Sequence, residues 1–199
     1  GTIGNTGSAN KIHVVRSSQQ DFYQSWIDWK DAVKQGADFY DGDGDGIYNP
    51  VDKNSNGKWD KNEDKPNIIG DITAFTVYND GVDSEERWFR GIEPQGIEIG
   101  QTAFSYNKTT LPELSNVIFV KYSIENMGTV ADTLDSVYFG AWADLDIGYY
   151  GDDHSGTDTV LNSMYAYNDS TDKYYGINSP SCFISLLQGP PVYINGETF

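Results

Sequence analysis

Cysteine is almost absent from this chain: Cys182 stands alone among 199 residues, so no internal disulfide can form. Stability outside a reducing compartment must then come from packing, metal or assembly. Histidine is nearly as scarce. His13 and His154 are the only side chains whose ordinary titration falls near neutral pH, and neither sits in a triad pattern. An HExxH zinc motif, a phosphate-binding glycine loop and a GxSxG elbow are all missing. Paired carboxylates would suit a glycosidase, but among 30 acids no pair is distinctive. These absences argue against an enzyme. Basic residues are few as well: 13 Lys and Arg leave a formal charge of −17 and a pI near 4.2. That balance excludes nucleic acid as a natural partner, because phosphate needs a basic surface. No apolar run approaches the length of a membrane-spanning helix.

What the chain has in excess is concentrated acid. The stretch DGDGDGIYNPVDKNSNGKWDKNED, from Asp41 to Asp64, holds seven acids and three lysines, with glycine and asparagine between them. Each carboxylate raises the energy of its neighbours unless a cation offsets the repulsion. The twelve-residue calcium loop D-x-[DN]-x-[DN]-G-x5-[DE] fits this stretch twice. In the first loop Asp41, Asp43 and Asp45 take positions 1, 3 and 5, Gly46 supplies the turn, and Asp52 closes. Asp52 then opens the second loop, with Asn54, Asn56, Gly57, Asp60 and Glu63 at positions 3, 5, 6, 9 and 12. Carbonyls of Ile47 and Lys58, at position 7, complete the two shells. A solvated acidic linker has no need of glycine at both sixth positions. Lys65-Pro66-Asn67 argues against a helix leaving the second loop, so a paired EF-hand is not expected. The overlapping loops resemble thrombospondin type 3 or dockerin-type repeats, which implies a structural role for the ion.

Around this segment the composition leans to β structure, with 14 Tyr, 9 Phe and 5 Trp. One helix is expected: Ser18 to Asp21 reads as a capping signal, Phe22, Trp26, Trp29 and Val33 fall on one face, and Gly36 ends it. Strands are expected at 72–78, with a turn at Asn79-Asp80-Gly81, and at 96–106, with a bulge near Gly100. Further strands are expected at 116–126, 135–144, 164–167, 174–175 and 183–187. Strands without intervening helices predict a mainly β fold, an antiparallel β-sandwich of immunoglobulin or jelly-roll character. The expected division is an N-terminal arm, helix and tandem calcium loops over 1–70, then the sandwich over 71–199. The first residue is not Met and the chain stops after INGETF, which reads as a piece of something longer.

A second acidic cluster follows an expected strand: Asp144 and Asp146, then Asp152, Asp153 and Asp158. Carboxylates at a strand end and its following loop can converge on one calcium ion, though a solvated turn region has the same composition. His154 lies within the cluster as an exposed side chain and not as a ligand, because calcium prefers oxygen.

The segments GADFYDGDGDGIYNP, VYNDG, PQGIEIGQTAFSY, IFVKYSIENMGTVADTLDSVYFGAWADLDIG, DDHSGTDTVLN, YAYND and FISLLQGPPV carry a resemblance. From about Gly36 onward the chain resembles a family of large uncharacterised bacterial secreted proteins that usually end in a type IX secretion sorting domain. The resemblance implies export, a β-rich body and acidic loops. It supplies no activity. It departs at Thr157, where relatives often have Cys, so it supports no cysteine chemistry there. Sequons at Asn107 and Asn168, with Asp-Ser/Thr-aliphatic triplets at Asp132, Asp135 and Asp158, permit glycosylation of a secreted surface.

Two non-enzymatic expectations result, both extracellular or at a cell surface. The first is a calcium-stabilised structural or adhesive component, including a filament-forming subunit that self-associates. Its C-terminal segment Pro191-Val192-Tyr193-Ile194 is suited to pair with an open sheet edge of a neighbour. The second is a carbohydrate-binding accessory module of a secreted enzyme, with Trp59, Trp88 and Trp142 as candidate glycan contacts. Exposure discriminates them: a flat row of exposed aromatics suits sugars, a large apolar face suits assembly.

Overall fold

The computed structural model describes residues 11–87 and 90–191, together with the strand backbones at Tyr193–Ile194 and Glu197–Thr198. The chain is mainly β, with antiparallel sheets and one α-helix, and it divides into two compact units, Gly1–Val137 and Tyr138–Phe199. The division expected near residue 70 is not where the units part. The reason is pairing: β1 (His13–Arg16) lies beside β4 (Ile72–Asn79), which joins the N-terminal arm to the first sheet.

That sheet is four-stranded, in the order β1-β4-β5-β6, with β5 at Ile97–Ser105 and β6 at Ile118–Asn126. Helix α1 (Gln24–Val33) covers one face of it. Trp26, Trp29 and Ala32 pack with Val15, Phe75 and Val77 into the buried core, joined by Ala37 and Tyr48. Trp29 meets Phe75 edge to face at 6.4 Å, a geometry that satisfies the ring quadrupoles. The helix ends where glycine was expected to end it. Gly36 takes φ +94°, its N–H bonds the Val33 carbonyl, and the Ala37 N–H reaches back to Ala32, the paired bonds of a Schellman motif. The start differs from expectation. Tyr23 precedes the first turn without a side-chain cap, and Asp21 is used elsewhere.

The strands at 72–78, 96–106, 116–126, 164–167 and 183–187 are found with shifted ends, the last two as β8 (Ser163–Asn168) and β9 (Cys182–Ser185). Three local expectations fail. No bulge interrupts β5: its register runs unbroken through Gly100, opposite Val77 and Ser123. The switch of apolar face fits a strand half-buried along its whole length, which carries apolar side chains on both faces. Residues 135–144 form no strand; Ser136 turns to φ +56°, outside the extended region, and breaks the run. Tyr174-Tyr175 is instead a tight turn, closed by reciprocal backbone bonds between Asp172 and Gly176.

One result inverts a reading of the pattern. Register places Lys121 and Ser123 of β6 on the helix-covered face, alongside Thr102 and Phe75, and Lys121 pairs there with Asp38 at 3.0 Å. The apolar members of the alternation, Ile118, Val120, Tyr122 and Ile124, lie on the other face and are exposed. In the second unit β7 (Asp153–Asp158), β8 and β9 form a three-stranded antiparallel sheet, and β10 (Tyr193–Ile194) and β11 (Glu197–Thr198) form a two-stranded one. The edge segment expected at 191–194 includes Val192, which lies outside the described residues.

Candidate metal centre

The acidic stretch is a closed excursion from the core. β2 (Phe39–Tyr40) enters it and β3 (Lys65–Pro66) leaves it, and the two pair antiparallel, Phe39 with Pro66 and Tyr40 with Lys65. The strand at Lys65–Pro66 confirms that no helix leaves the second loop.

Within this clamp the two loops repeat one conformation. In the first, both Asp41 carboxylate oxygens accept backbone bonds, from Gly44 at 2.8 Å and Gly46 at 2.9 Å, and Asp45 accepts from Ile47 at 2.7 Å. In the second, Asp52 accepts from Asn56 at 3.2 Å and Gly57 at 2.7 Å, and Asn56 accepts from Lys58 at 2.7 Å. Gly46 and Gly57 stand at φ +76° and +75°, a region L side chains rarely adopt, which explains glycine at the sixth position of each loop. Carboxylate oxygens of Asp41, Asp43 and Asp45 lie within 4.8 Å of one another, the one such acidic group among the described residues.

The position-1, -3 and -5 acids of the first loop are therefore brought together, whereas Asp52 is committed to the second loop. In that second loop Asn54 and Asn56 direct their amides to one Asp60 oxygen, at 2.7 and 3.0 Å. Glu63, at position 12, is fully buried and accepts from the backbone of Lys53 at 2.6 Å and of Asp60 at 2.9 Å. It staples the loop's beginning to its end.

Spacing did not single out Asp64, which does the same for the first loop. It is 2 % exposed and accepts from Gly42 at 2.9 Å and Asn49 at 2.7 Å. Two adjacent buried carboxylates thus hold four backbone N–H groups, two in each loop. Both are compensated by charge-assisted hydrogen bonds, without which burial of an ion is costly. The loops cross closely at this hub: a Cβ added to Gly42 would fall on the Glu63 backbone.

The loops are also bolted to the core. Tyr48, 5 % exposed, donates to the Trp26 carbonyl at 2.8 Å and meets Phe39 edge to face. Burial, with Asp64 nearby, pushes its phenol far above the ordinary value. Trp59 donates its indole N–H to the Glu63 carbonyl at 2.8 Å, and its backbone N–H to Asp21 at 2.9 Å. Asp21 therefore ties the second loop to the turn before α1.

One cation already sits beside the acidic triad. Lys53 Nζ donates to Asp43 at 2.7 Å and to the Asn62 carbonyl at 2.8 Å. The hydrogen bond to Lys53 holds the Asp43 carboxyl below the ordinary carboxylate range, and Asp43 correspondingly raises Lys53.

The second cluster behaves differently. Asp144 and Asp146 are exposed, Asp158 caps a turn by accepting from Val160 and Leu161, and Asp153 accepts from Ile147 at 2.8 Å. No three carboxylates among Asp144, Asp146, Asp152, Asp153 and Asp158 lie within 4.8 Å of one another. One buried oxygen each of Asp152 and Asp153 has no hydrogen-bond partner among the described residues. The organising acid here is Asp172, which the sequence did not mark. It is 2 % exposed and accepts backbone bonds from Tyr149, Tyr174 and Tyr175. Burial raises its carboxyl, but those backbone donors outweigh it and the net shift is downward. His154 is half-exposed and reaches Asp169 at 3.3 Å.

Of the tryptophans considered for glycans, Trp59 is largely packed, Trp142 is 85 % exposed, and Trp88 lies outside the described residues. A row of aromatics does exist, on one face of the β7–β9 sheet. His154, Tyr167, Tyr165 and Phe183 follow one another at centroid spacings of 5.6, 6.0 and 5.6 Å, tilted by 33–39°. Gly156 faces Tyr165 across the ladder, and a side chain there would strike the ring. Compared with known proteins, the chain matches no family model, no curated protein and no solved structure.

Proposed function

We propose that this chain is a calcium-stabilised structural or adhesive protein of the extracellular space or cell surface, a role that includes a filament-forming subunit. The observation that carries the reading is the convergence of Asp41, Asp43 and Asp45 in a loop whose conformation is repeated eleven residues on. Calcium takes six to eight oxygens at about 2.3–2.6 Å. Asp41, Asp43, Asp45 and the Ile47 carbonyl supply the first ion. Asp52, Asn54, Asn56, Asp60, Glu63 and the Lys58 carbonyl supply the second, the two amides rotating to offer oxygen. Export by a type IX route is supported by the resemblance to secreted bacterial proteins. The exposed apolar face of β6 supports either a second layer of a sandwich or an assembly surface. Titration calorimetry on chelated protein is expected to show two calcium ions bound with Kd on the order of 10⁻⁴ to 10⁻³ M, the range of extracellular modules. Absence of uptake refutes the reading.

A carbohydrate-binding module is the second reading, favoured by the aromatic row on the β7–β9 sheet. Neighbouring aromatic rings on a sheet face present apolar surface on which sugars stack. Glycan-array binding that is lost in Tyr167→Ala and Phe183→Ala is the expected result under that reading.

A further inference from the structure

Beside the metal loops a cavity of about 260 Å³ opens between the end of β1, the turn before α1, the second loop and β3. Its wall has an unusual charge. In a chain with 30 acids and 13 bases, Arg16 and Lys65 both line it, and among the described residues neither has a carboxylate partner. Lys65 is instead fixed over the Trp59 ring, 3.7 Å from its centroid. Trp26 forms another part of the wall; it is 3 % exposed, and its buried indole N–H has no hydrogen-bond partner among the described residues. Asp21 also lines the cavity, with one oxygen engaged by the Trp59 backbone and the other without a hydrogen-bond donor among the described residues, and Gln19 lines it too.

The geometry points to a binding site for a single sugar-acid unit, a uronate. Two cations meet its carboxylate, Asp21 accepts from a hydroxyl, and the ring lies against Trp26. A neutral sugar leaves the cations unanswered, and a simple anion leaves Asp21 unanswered. The volume, just below the roughly 300–1,000 Å³ of drug-sized pockets, admits one ring and not an oligosaccharide. The site goes beyond the calcium reading and does not rest on it, although the second loop contributes Trp59.

The test is nuclear magnetic resonance of the full chain, reading the Trp26 indole N–H during titration with sodium glucuronate, glucose or sodium acetate. Glucuronate is expected to shift that signal with a Kd in the millimolar range, and glucose and acetate to bind at least about tenfold more weakly. Arg16→Gln and Lys65→Gln should each weaken glucuronate by about tenfold while the rest of the spectrum is retained. No shift by roughly 50 mM glucuronate, a level far above millimolar Kd, overturns the proposal. Equal binding of acetate overturns it in favour of a plain anion site, and equal binding of glucose, or indifference to both substitutions, removes the role of the cations. Repeating the titration with calcium and with chelator, beside the calorimetric calcium count, separates failure of this site from failure of the metal loops.

Discussion

Removal of calcium is the sharpest perturbation of the proposed role, and its size can be worked from the two loops. An ion that binds the native state alone stabilises it by RT ln(1 + [L]/Kd), about 1.4 kcal/mol per site at tenfold excess. Two loops then contribute about 3 kcal/mol. For a chain of 199 residues each kcal/mol moves the melting temperature by about 2–4 °C, so chelation should lower it by about 6–12 °C. The loss should begin in the first unit, because the loops carry Tyr48 into the core against Trp26 and hold Trp59 through Glu63. The ladders between β4, β5 and β6 do not run through the loops and should resist longer. Differential scanning calorimetry with and without chelator gives the shift, and limited proteolysis locates it, with early cuts expected between residues 41 and 64. A chelated protein that melts within about 2 °C of the loaded form, less than one kcal/mol, refutes a structural role for the ion.

Gly42→Ala should destabilise the protein by about 1–3 kcal/mol and weaken both calcium sites, since the new methyl displaces the Glu63 backbone that both loops share; calorimetry with one site untouched would refute the shared hub. Lys53→Gln removes the cation bonded to Asp43. An exposed ion pair is weak, so calcium affinity of the first loop should rise by at most about fivefold, measured by the same titration. His13 is 3 % exposed, and burial, with Lys11, lowers its pKa against the opposing pull of Asp31 and Asp28. The unfolded chain therefore binds the proton more readily than the folded one, so stability is full above pH about 6.5 and falls as pH drops through the folded value. In saturating calcium, His13→Phe should flatten the dependence of urea midpoint on pH between about 7.5 and 5, and an unchanged slope would assign it to another group.

What was legible in the sequence was short in range. Glycine at the sixth loop positions and at Gly36 announces a positive φ, because few other residues tolerate one, and all three stand there. Alternation located β4 and β6, since a pleated strand repeats every two residues whatever surrounds it. The same alternation could not say which face is the core: that is decided by α1 packing on Phe75 and Val77, whose face β6 continues with Lys121 and Ser123, both exposed, while Ile118, Val120, Tyr122 and Ile124 lie on the opposite face. Nor could spacing distinguish a strand in waiting from a strand with a partner, as residues 135–144 show. The residues that hold the metal loops in place were hidden for a related reason. Asp64 acts on Gly42 across 22 residues and Asp21 on Trp59 across 38, so neither falls in any local motif. A carboxylate that ligates an ion must sit at a fixed offset from its fellows, and the offset writes itself into the sequence. A carboxylate that staples two backbone segments needs only to be near them in space. The proposed ligands are thus the readable half of this site, and the acids that shape it, Glu63 in its second role, Asp64 and Asp21, become visible only once β2 pairs with β3 and closes the excursion.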